Sequence, residues 1–203
     1  MLLYDGGRAP NPRRVRIFLA EKGIEVPMKA IDMTAMGHRS GEVTALNPFQ
    51  RLPVLQLDDG TVLTETVAIC RYFEELHPDP PLMGIDALDR ATVEMWNRRA
   101  ELNFVYFVAQ AFRHTHPAMK DWEVPQNPEF GEANRPKALK AMEFLDEELK
   151  SREFIAGERY TIADITAMMG IDMLKPARIE RPVHLENLMR WYEAVSSRPS
   201  AAA

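Results

Sequence analysis

The segment Asn47-Pro48-Phe49-Gln50-Arg51-Leu52-Pro53-Val54-Leu55 decides how the first part of the chain is interpreted. Pro53 precedes an apolar run at residues 54–57, and the start of a strand is where the missing N–H of proline costs least. An X-Pro bond can be cis at little cost. A cis bond would turn the N–H and C=O of Leu52 outward, where an extended peptide-like ligand could pair with them as a strand does. The alternative is an ordinary trans proline at a strand edge.

The residues around this segment predict an α/β domain over residues 1–77. Apolar runs predict strands at 2–4, 25–31, 54–57 and 61–63, and helical spacing predicts helices ending at Gly23, at 42–46 and at 65–76. The first βαβ unit requires parallel strands, joined by a right-handed crossover. Asp58-Asp59-Gly60 between two apolar runs predicts a hairpin, which adds antiparallel strands. The sequence therefore predicts a mixed four-stranded sheet.

A proline-rich stretch ends this pattern and predicts a linker at residues 78–86. No strand pattern follows it. Residues 87–203 are predicted to form an all-helical bundle with helices near 87–114, 134–150, 162–175 and 185–196, so the fold class is α/β plus all-α. Thr161-Ile162-Ala163-Asp164 is typical of a helix capping box.

The overall composition excludes several classes of function. The chain has 203 residues, 46% of them hydrophobic, and a net charge of -5, so it lacks the basic field that attracts nucleic acid or an anionic membrane. The apolar stretch around residues 104–112 is too short to span a bilayer. The first residues lack the basic leader of a signal peptide, and a single cysteine, Cys70, allows no internal disulfide. We therefore expect a cytoplasmic protein.

Two further segments carry candidate binding groups. Glu65 and Thr66 are predicted to open a helix, where unpaired N–H groups and the helix dipole favour a ligand carboxylate, and the Glu65 carboxylate could meet an ammonium group. The alternative is simple capping by Thr64 or Thr66. In the loop before the first helix, Asn11 offers an amide donor at the sheet edge where α/β proteins bind ligands. Asn11 could equally cap that helix, with Pro12 as its first residue.

Together these motifs resemble three landmarks of the cytosolic glutathione transferases. The landmarks are residues 47–55, residues 63–69 (Leu-Thr-Glu-Thr-Val-Ala-Ile), and Gly157 with Tyr160-Thr161-Ile162-Ala163-Asp164-Ile165. The resemblance covers nearly the whole chain. It implies a thioredoxin-like N-terminal domain, a helical C-terminal domain, a homodimer, and glutathione as co-substrate with no resident cofactor.

The resemblance also implies roles for individual residues. Leu52, beside a cis-Pro53, would hold the cysteinyl backbone of glutathione, and Glu65 and Thr66 would bind its γ-glutamyl end. A last group would reach the glycyl carboxylate: His38, Gln50 and Arg51. His38 could instead be a solvated loop residue.

The sequence departs from the family pattern at the residue that contacts the glutathione sulfur. Ala9 falls where the serine-type classes have the serine that donates to the glutathione sulfur. Tyr4 lies within a predicted strand and Cys70 within a helix, so neither replaces that serine. A bacterial-type branch of the family has Thr-Pro-Asn here, and Ala9-Pro10-Asn11 keeps only its asparagine. Asn11 is therefore the predicted catalytic residue, with Ala9 lining the same site.

Two kinds of function fit these features. One is an enzyme in which the glutathione thiolate attacks a small hydrophobic electrophile or a disulfide. The other is a non-catalytic glutathione-binding or protein-interaction module that lost the activating hydroxyl. Tyr106, Gln110 and Arg113 share a helix face that could line a second-substrate site between the domains, although Tyr106 could also be core or dimer surface. His114 and His116 lack supporting ligands, so no metal is predicted.

Overall fold

The computed structural model describes residues 1–203, which divide into two compact units. The first unit comprises Met1–Leu82 together with Pro199–Ala203, and the second comprises Met83–Arg198. The division after Leu82 lies within the stretch that the sequence marks as a linker. No helix of the structure is both long enough and apolar enough to cross a membrane.

The first unit is built on a four-stranded sheet. Its strands are β1 (Leu2–Asp5), β2 (Met28–Ala30), β3 (Val54–Gln56) and β4 (Val62–Thr64), in the order β2-β1-β3-β4. β1 and β2 are parallel, whereas β1 with β3 and β3 with β4 are antiparallel. The predicted mixed sheet is therefore confirmed, including the hairpin, in which Gly60 adopts a φ of +87°.

Three α-helices accompany this sheet: α1 (Pro10–Glu21), α2 (Gly41–Leu46) and α3 (Thr66–Leu76). α1 buries Val15, Phe18 and Leu19 completely or nearly so, which is the apolar face that its sequence spacing predicts. The predicted helix end is also observed, because Gly23 takes a φ of +64° just after α1.

The first unit differs from the sequence prediction at two places. α1 begins at Pro10 with Ala9 as its N-cap residue, so the capping role considered for Asn11 is wrong. Proline occupies the first helical position because its missing N–H would be unpaired there anyway. The last residues, grouped by sequence with the helical domain, pack on α1 instead, where Arg13 donates to the Ala201 carbonyl over 2.8 Å.

The regular secondary structure of the second unit is helical, apart from one isolated bridge between Phe154 and Gly157. It contains five α-helices: α4 (Ala87–Ala100), α5 (Tyr106–Thr115), α6 (Pro128–Leu149), α7 (Ile162–Asp172) and α8 (Glu186–Ser196). A π-helical turn, Glu101–Val105, joins α4 to α5 where the sequence predicts one continuous helix. Such turns interrupt the α-helical hydrogen-bond pattern without ending the helix, so apolar spacing does not reveal them.

The start of α6 is a second correction in this unit. The sequence places it near residue 134, because Pro125 and Pro128 look like helix breakers. In the structure Pro128 is the first helical residue, and Asn127 caps the helix by accepting a hydrogen bond from the Phe130 N–H over 3.0 Å. Proline is favoured at that position, so it marks a beginning here and not an end.

The predicted capping box is confirmed and its carboxylate is buried. Asp164 accepts hydrogen bonds from the N–H groups of Thr161 and Ile155 and from Trp191 Nε1, each over 2.8 Å, and from the Thr161 hydroxyl over 3.2 Å. Burial raises the pKa of Asp164 to about 6, while these hydrogen bonds act to lower it. The side chain therefore ties the start of α7 to α8 and to the preceding loop.

Replacing Asp164 with alanine should lower the free energy of unfolding by about 3–5 kcal/mol, because four buried donors lose their acceptor. Urea titration followed by far-UV circular dichroism measures this loss. Asp86→Ala is the control, since Asp86 is an exposed N-cap residue of α4 and its loss should cost about 1 kcal/mol. Equal losses in the two variants would contradict the buried role of Asp164.

Candidate functional site

The sheet register gathers the predicted binding segments at one edge. Tyr4 near the end of β1 pairs with Val54 at the start of β3, and Val54 pairs with Thr64 at the end of β4. Asp5 pairs with Ala30 at the end of β2. The segments that leave or enter the sheet at these points therefore meet there: the β1–α1 loop, Leu52-Pro53 and the start of α3. The 37–39 turn belongs to the connection that follows β2 at the same edge.

The β1–α1 loop approaches Leu52 closely. A Cβ atom built on Gly6 would lie 3.1 Å from Pro12 Cγ, 3.3 Å from Met33 Sδ and 3.4 Å from Leu52 Cδ1. These neighbours come from the first turn of α1, from the connection between β2 and α2, and from the connection between α2 and β3. A side chain at Gly6 would force them apart, so glycine permits the close approach that brings the loop to the site.

The first turn of α1 offers few hydrogen-bond donors. Pro10 and Pro12 have no N–H, and the Ala9 N–H donates to the Gly6 carbonyl over 3.3 Å. The Asn11 N–H has no protein acceptor, and its side chain is exposed without a capping hydrogen bond. Because unpaired N–H groups at a helix N-terminus attract anions, Asn11 offers both a main-chain and a side-chain amide to a negative group.

Leu52-Pro53 forms the second part of the site. The Leu52–Pro53 peptide bond is cis, so the trans alternative does not hold in this structure. The Leu52 side chain is 6% exposed and packs in a cluster with Tyr4, Val43 and Val54. Neither the N–H nor the C=O of Leu52 is paired with another protein group. Its main chain is thus anchored by a buried side chain and open to a ligand.

Asn47 holds the loop that leads to Leu52. Its side chain is almost fully buried, donates to the Arg51 carbonyl over 2.9 Å, and accepts from the Phe49 N–H over 3.1 Å. Asn47 opens the motif at residues 47–55, but no role for its side chain is predicted from the sequence. The Asn-Pro pair is a turn signal, and it could have pointed to this bracing function.

The start of α3 forms the third part. Glu65 is exposed and is the N-cap residue, with a φ of +68°, which costs a non-glycine residue about 1–3 kcal/mol. Thr66 is the first helical residue and is buried. Neither Thr64 nor Thr66 caps α3 through its side chain, so simple capping is not their role. A strained backbone at a helix N-terminus fits a segment shaped for a ligand.

The three residues expected at the glycyl carboxylate differ from one another in burial and in contacts. His38 lies in a turn of 3₁₀ helix, Gly37–Arg39, and is only 3% exposed, so it is not a solvated loop residue. Burial lowers the pKa of His38, and the charges of Arg39 and Arg51 lower it further, so the ring is neutral at pH 7. Arg51 is exposed. The Gln50 amide donates to the hydroxyl of Thr44 in α2 over 3.4 Å.

The second-substrate candidates lie in the second unit, on α5. Tyr106 is 43% exposed, so it is not a core residue. Arg113 pairs with Glu123 over 3.1 Å, and Gln110 is partly exposed.

His114 and His116 accept hydrogen bonds from main-chain groups, and Cys70 is a core residue. Nδ1 of His114 accepts from the Asn127 N–H, and Nδ1 of His116 accepts from the Ala118 N–H, both over 3.1 Å. No group of three His, Cys, Asp or Glu side chains is placed to hold a metal ion. Cys70 is fully buried, which raises the pKa of its thiol to about 12, so it is not a nucleophile.

Models of two known families match the chain. Residues 9–76 match the glutathione S-transferase N-terminal domain, and residues 96–199 match the glutathione S-transferase C-terminal domain. Both matches fall on segments that the sequence analysis assigns to the two predicted domains.

Individual relatives match over the full length. Glutathione S-transferase 2 of Saccharomyces cerevisiae is 36% identical over 98% of this chain and 87% of its own. The crystal structure of Gtt2 from the same yeast covers 100% of this chain and 99% of its own, with a TM-score of 0.94. A glutathione S-transferase domain-containing protein from Marinobacter aquaeolei has a TM-score of 0.94 and 38% identity, covering 98% of this chain and 99% of its own. The chain therefore belongs to the glutathione S-transferase family.

Proposed function

We propose that this protein is a glutathione transferase that binds glutathione at the sheet edge and uses its thiolate to attack an electrophile or a disulfide. One observation carries the proposal. Unpaired main-chain groups of Asn11 and Leu52 and the N-terminus of α3 lie at segments that meet at one edge of the sheet. Such an array suits an extended peptide with an anion at each end. Family membership identifies that peptide as glutathione.

Each part of the tripeptide has a proposed partner. The main chain of Leu52 pairs with the cysteinyl residue, as a neighbouring strand would. Thr66 and the N-terminus of α3 receive the γ-glutamyl carboxylate, and the exposed Glu65 faces the ammonium group. Arg51 and His38 bind the glycyl carboxylate. Gln50 is included in this set because of the family resemblance alone. In the structure its amide donates to the Thr44 hydroxyl.

The thiol must lose its proton before it attacks. A free cysteine thiol has a pKa of about 8.5, and lowering it by two units requires about 2.7 kcal/mol of preferential binding to the anion. A hydrogen bond to a charged group contributes about 1.5–3 kcal/mol, and a helix N-terminus about 0.3–1 kcal/mol. The two amides of Asn11 at the start of α1 are sufficient for this. Ala9 supplies no donor and leaves room for the sulfur.

The proposal also includes the co-substrate, the contacts of the second substrate and the cellular location. Glutathione is the co-substrate, and the reaction needs no metal or resident cofactor. Tyr106, Gln110 and Arg113 are the proposed contacts of a small hydrophobic second substrate. We place the protein in the cytoplasm, where the glutathione pool is reduced.

A non-catalytic glutathione-binding module is the second candidate, because Ala9 lacks the hydroxyl that activates sulfur in serine-type relatives. Turnover with an aromatic electrophile and with a mixed disulfide distinguishes the two. Calorimetric binding of glutathione without either turnover would favour the binding module. Absence of binding would refute both.

Asn11→Ala should raise the pKa of the bound glutathione thiol by about one unit, because the side-chain amide is lost while the main-chain N–H remains. Ultraviolet absorbance of the thiolate, titrated against pH, measures this pKa. Ala9→Ser, which adds a hydroxyl beside the sulfur, should lower it. An unchanged titration in the Asn11 variant would show that its side chain does not contact the sulfur.

Glutathione should raise the pKa of His38, since a bound carboxylate favours the charged imidazole that Arg39 and Arg51 disfavour in the free protein. Binding then takes up protons, so affinity rises as pH falls between the two pKa values. NMR titration of the His38 ring with and without glutathione tests this, with the exposed His184 as control. A His38 titration that glutathione leaves unmoved would place the glycyl carboxylate elsewhere.

We also propose that the protein is a homodimer in which Phe49 of one copy enters a groove of the other. Phe49 is 79% exposed, although Asn47 fixes its backbone. The second unit contains an open groove of about 470 Å³, and its apolar walls and basic rim come from one set of residues: Arg99, Asn103, Phe104, Phe107, Lys137, Lys140, Ala141, Phe144 and Leu145. Exposed aromatic side chains and apolar grooves are typical anchors of interfaces, and a chain of net charge -5 suits a basic rim.

Phe49→Ser should weaken the dimer at least about tenfold, because the anchor loses its apolar contact area. Sedimentation equilibrium at several protein concentrations measures the dissociation constant. Val183→Ser is the control, since Val183 is similarly exposed at 76% but lies outside the groove. A monomeric unmodified protein would refute the homodimer, and an unchanged constant in the Phe49 variant would remove Phe49 from its interface.

A further inference from the structure

Asp5 and Arg16 form hydrogen bonds with the main chain of Gly7 in the β1–α1 loop. The Gly7 N–H donates to Oδ2 of Asp5 over 2.8 Å, and Nη1 of Arg16 donates to the Gly7 carbonyl over 2.9 Å. The same Nη1 atom of Arg16 also pairs with Oδ1 of Asp5. Both polar groups of Gly7 are therefore held by one ion pair, which we call the Gly7 clamp.

The ion pair of the clamp is sheltered from water. The Asp5 side chain is 12% exposed and the Arg16 side chain 17% exposed. Screening is weaker at such sites than at the surface, so the pair holds its geometry more firmly than an exposed pair would. Asp5 ends β1 and Arg16 lies in the second turn of α1, so the clamp joins the strand to the helix on either side of the loop.

The side of Gly7 on which a side chain would lie is open. Gly7 is exposed and has a φ of +59°, and a Cβ atom built on it would find no heavy atom within 4 Å. Glycine has wide conformational freedom, so its geometry here depends on hydrogen bonds and not on steric contact. Ala9 and Asn11 follow within four residues, Ala9 as the N-cap residue of α1 and Asn11 as its second helical residue.

We propose that Asp5 and Arg16 are positioning residues that aim the Asn11 amides at the glutathione sulfur by fixing the Gly7 peptide. The inference rests on the proposed function. Neither residue needs to touch the substrate. Without the clamp the loop samples several directions, and an amide displaced from hydrogen-bond distance no longer stabilises the thiolate.

Asp5→Asn and Arg16→Gln test the inference. Each should raise the pKa of the bound glutathione thiol by about one unit. At a pH below both thiol pKa values, kcat should fall about tenfold, because the thiolate fraction falls tenfold for each unit. KM for glutathione should change by less than about threefold, because its other contacts lie on Leu52 and the start of α3. Arg16→Lys keeps the charge and one donor, so it should recover part of the loss.

Glu74→Gln is a matched control for lost stability. Glu74 forms a buried ion pair with Lys22 over 2.7 Å at the other end of α1, and Lys22 also donates to the His77 and Pro80 carbonyls. This variant should lower the Tm while leaving the thiol pKa unchanged. A purely structural clamp would give the same pattern in the Asp5 and Arg16 variants, and that result would overturn the inference.

The outcomes also separate this inference from the proposed function. An unmodified protein that does not bind glutathione in calorimetry would refute both. A thiol pKa that shifts in Asn11→Ala but not in Asp5→Asn, Arg16→Gln or Arg16→Lys would leave the proposed function intact and refute the clamp alone.

Discussion

The strand register of the first unit is the constraint on which the site depends. Tyr4 pairs with Val54 and Val54 with Thr64, so the end of β1, the start of β3 and the end of β4 lie side by side. A shift of one residue in either pairing would turn the side chains to the opposite face and separate the segments that meet at this edge. The buried Leu52 cluster and the hairpin at Gly60 hold the register in place.

At this edge the main chain supplies much of the chemistry. Prolines remove two N–H groups from the first turn of α1, and the Asn11 N–H has no protein acceptor because it lies at the start of the helix. The open groups of Leu52 and the N-terminus of α3 are main-chain groups as well. Ligand binding through main-chain groups depends on where the backbone is fixed. Asn47 and the Gly7 clamp act on that backbone.

Patterns that depend on near neighbours were predicted well. The Asp-Gly hairpin, the glycine after α1 and the capping box at Thr161 depend on residues a few positions apart, so the sequence shows them directly. Helix starts were harder to predict, because a proline can either follow the end of one helix or begin another. Pro10 and Pro128 each begin a helix. The π-helical turn and the docking of the last residues on α1 leave no local pattern to detect.

The sequence by itself determined the two classes of structure, the mixed sheet, the family resemblance and most of the candidate binding residues. Only the tertiary structure decided that Asn11 is not a helix cap, that His38 is buried and neutral, and that the Gln50 amide is engaged by Thr44 of α2. It alone showed that Asp5 and Arg16 meet around Gly7. The physical reason is range: periodicity and turn chemistry are local, whereas burial, charge and hydrogen-bond partners depend on which distant segments the register brings together.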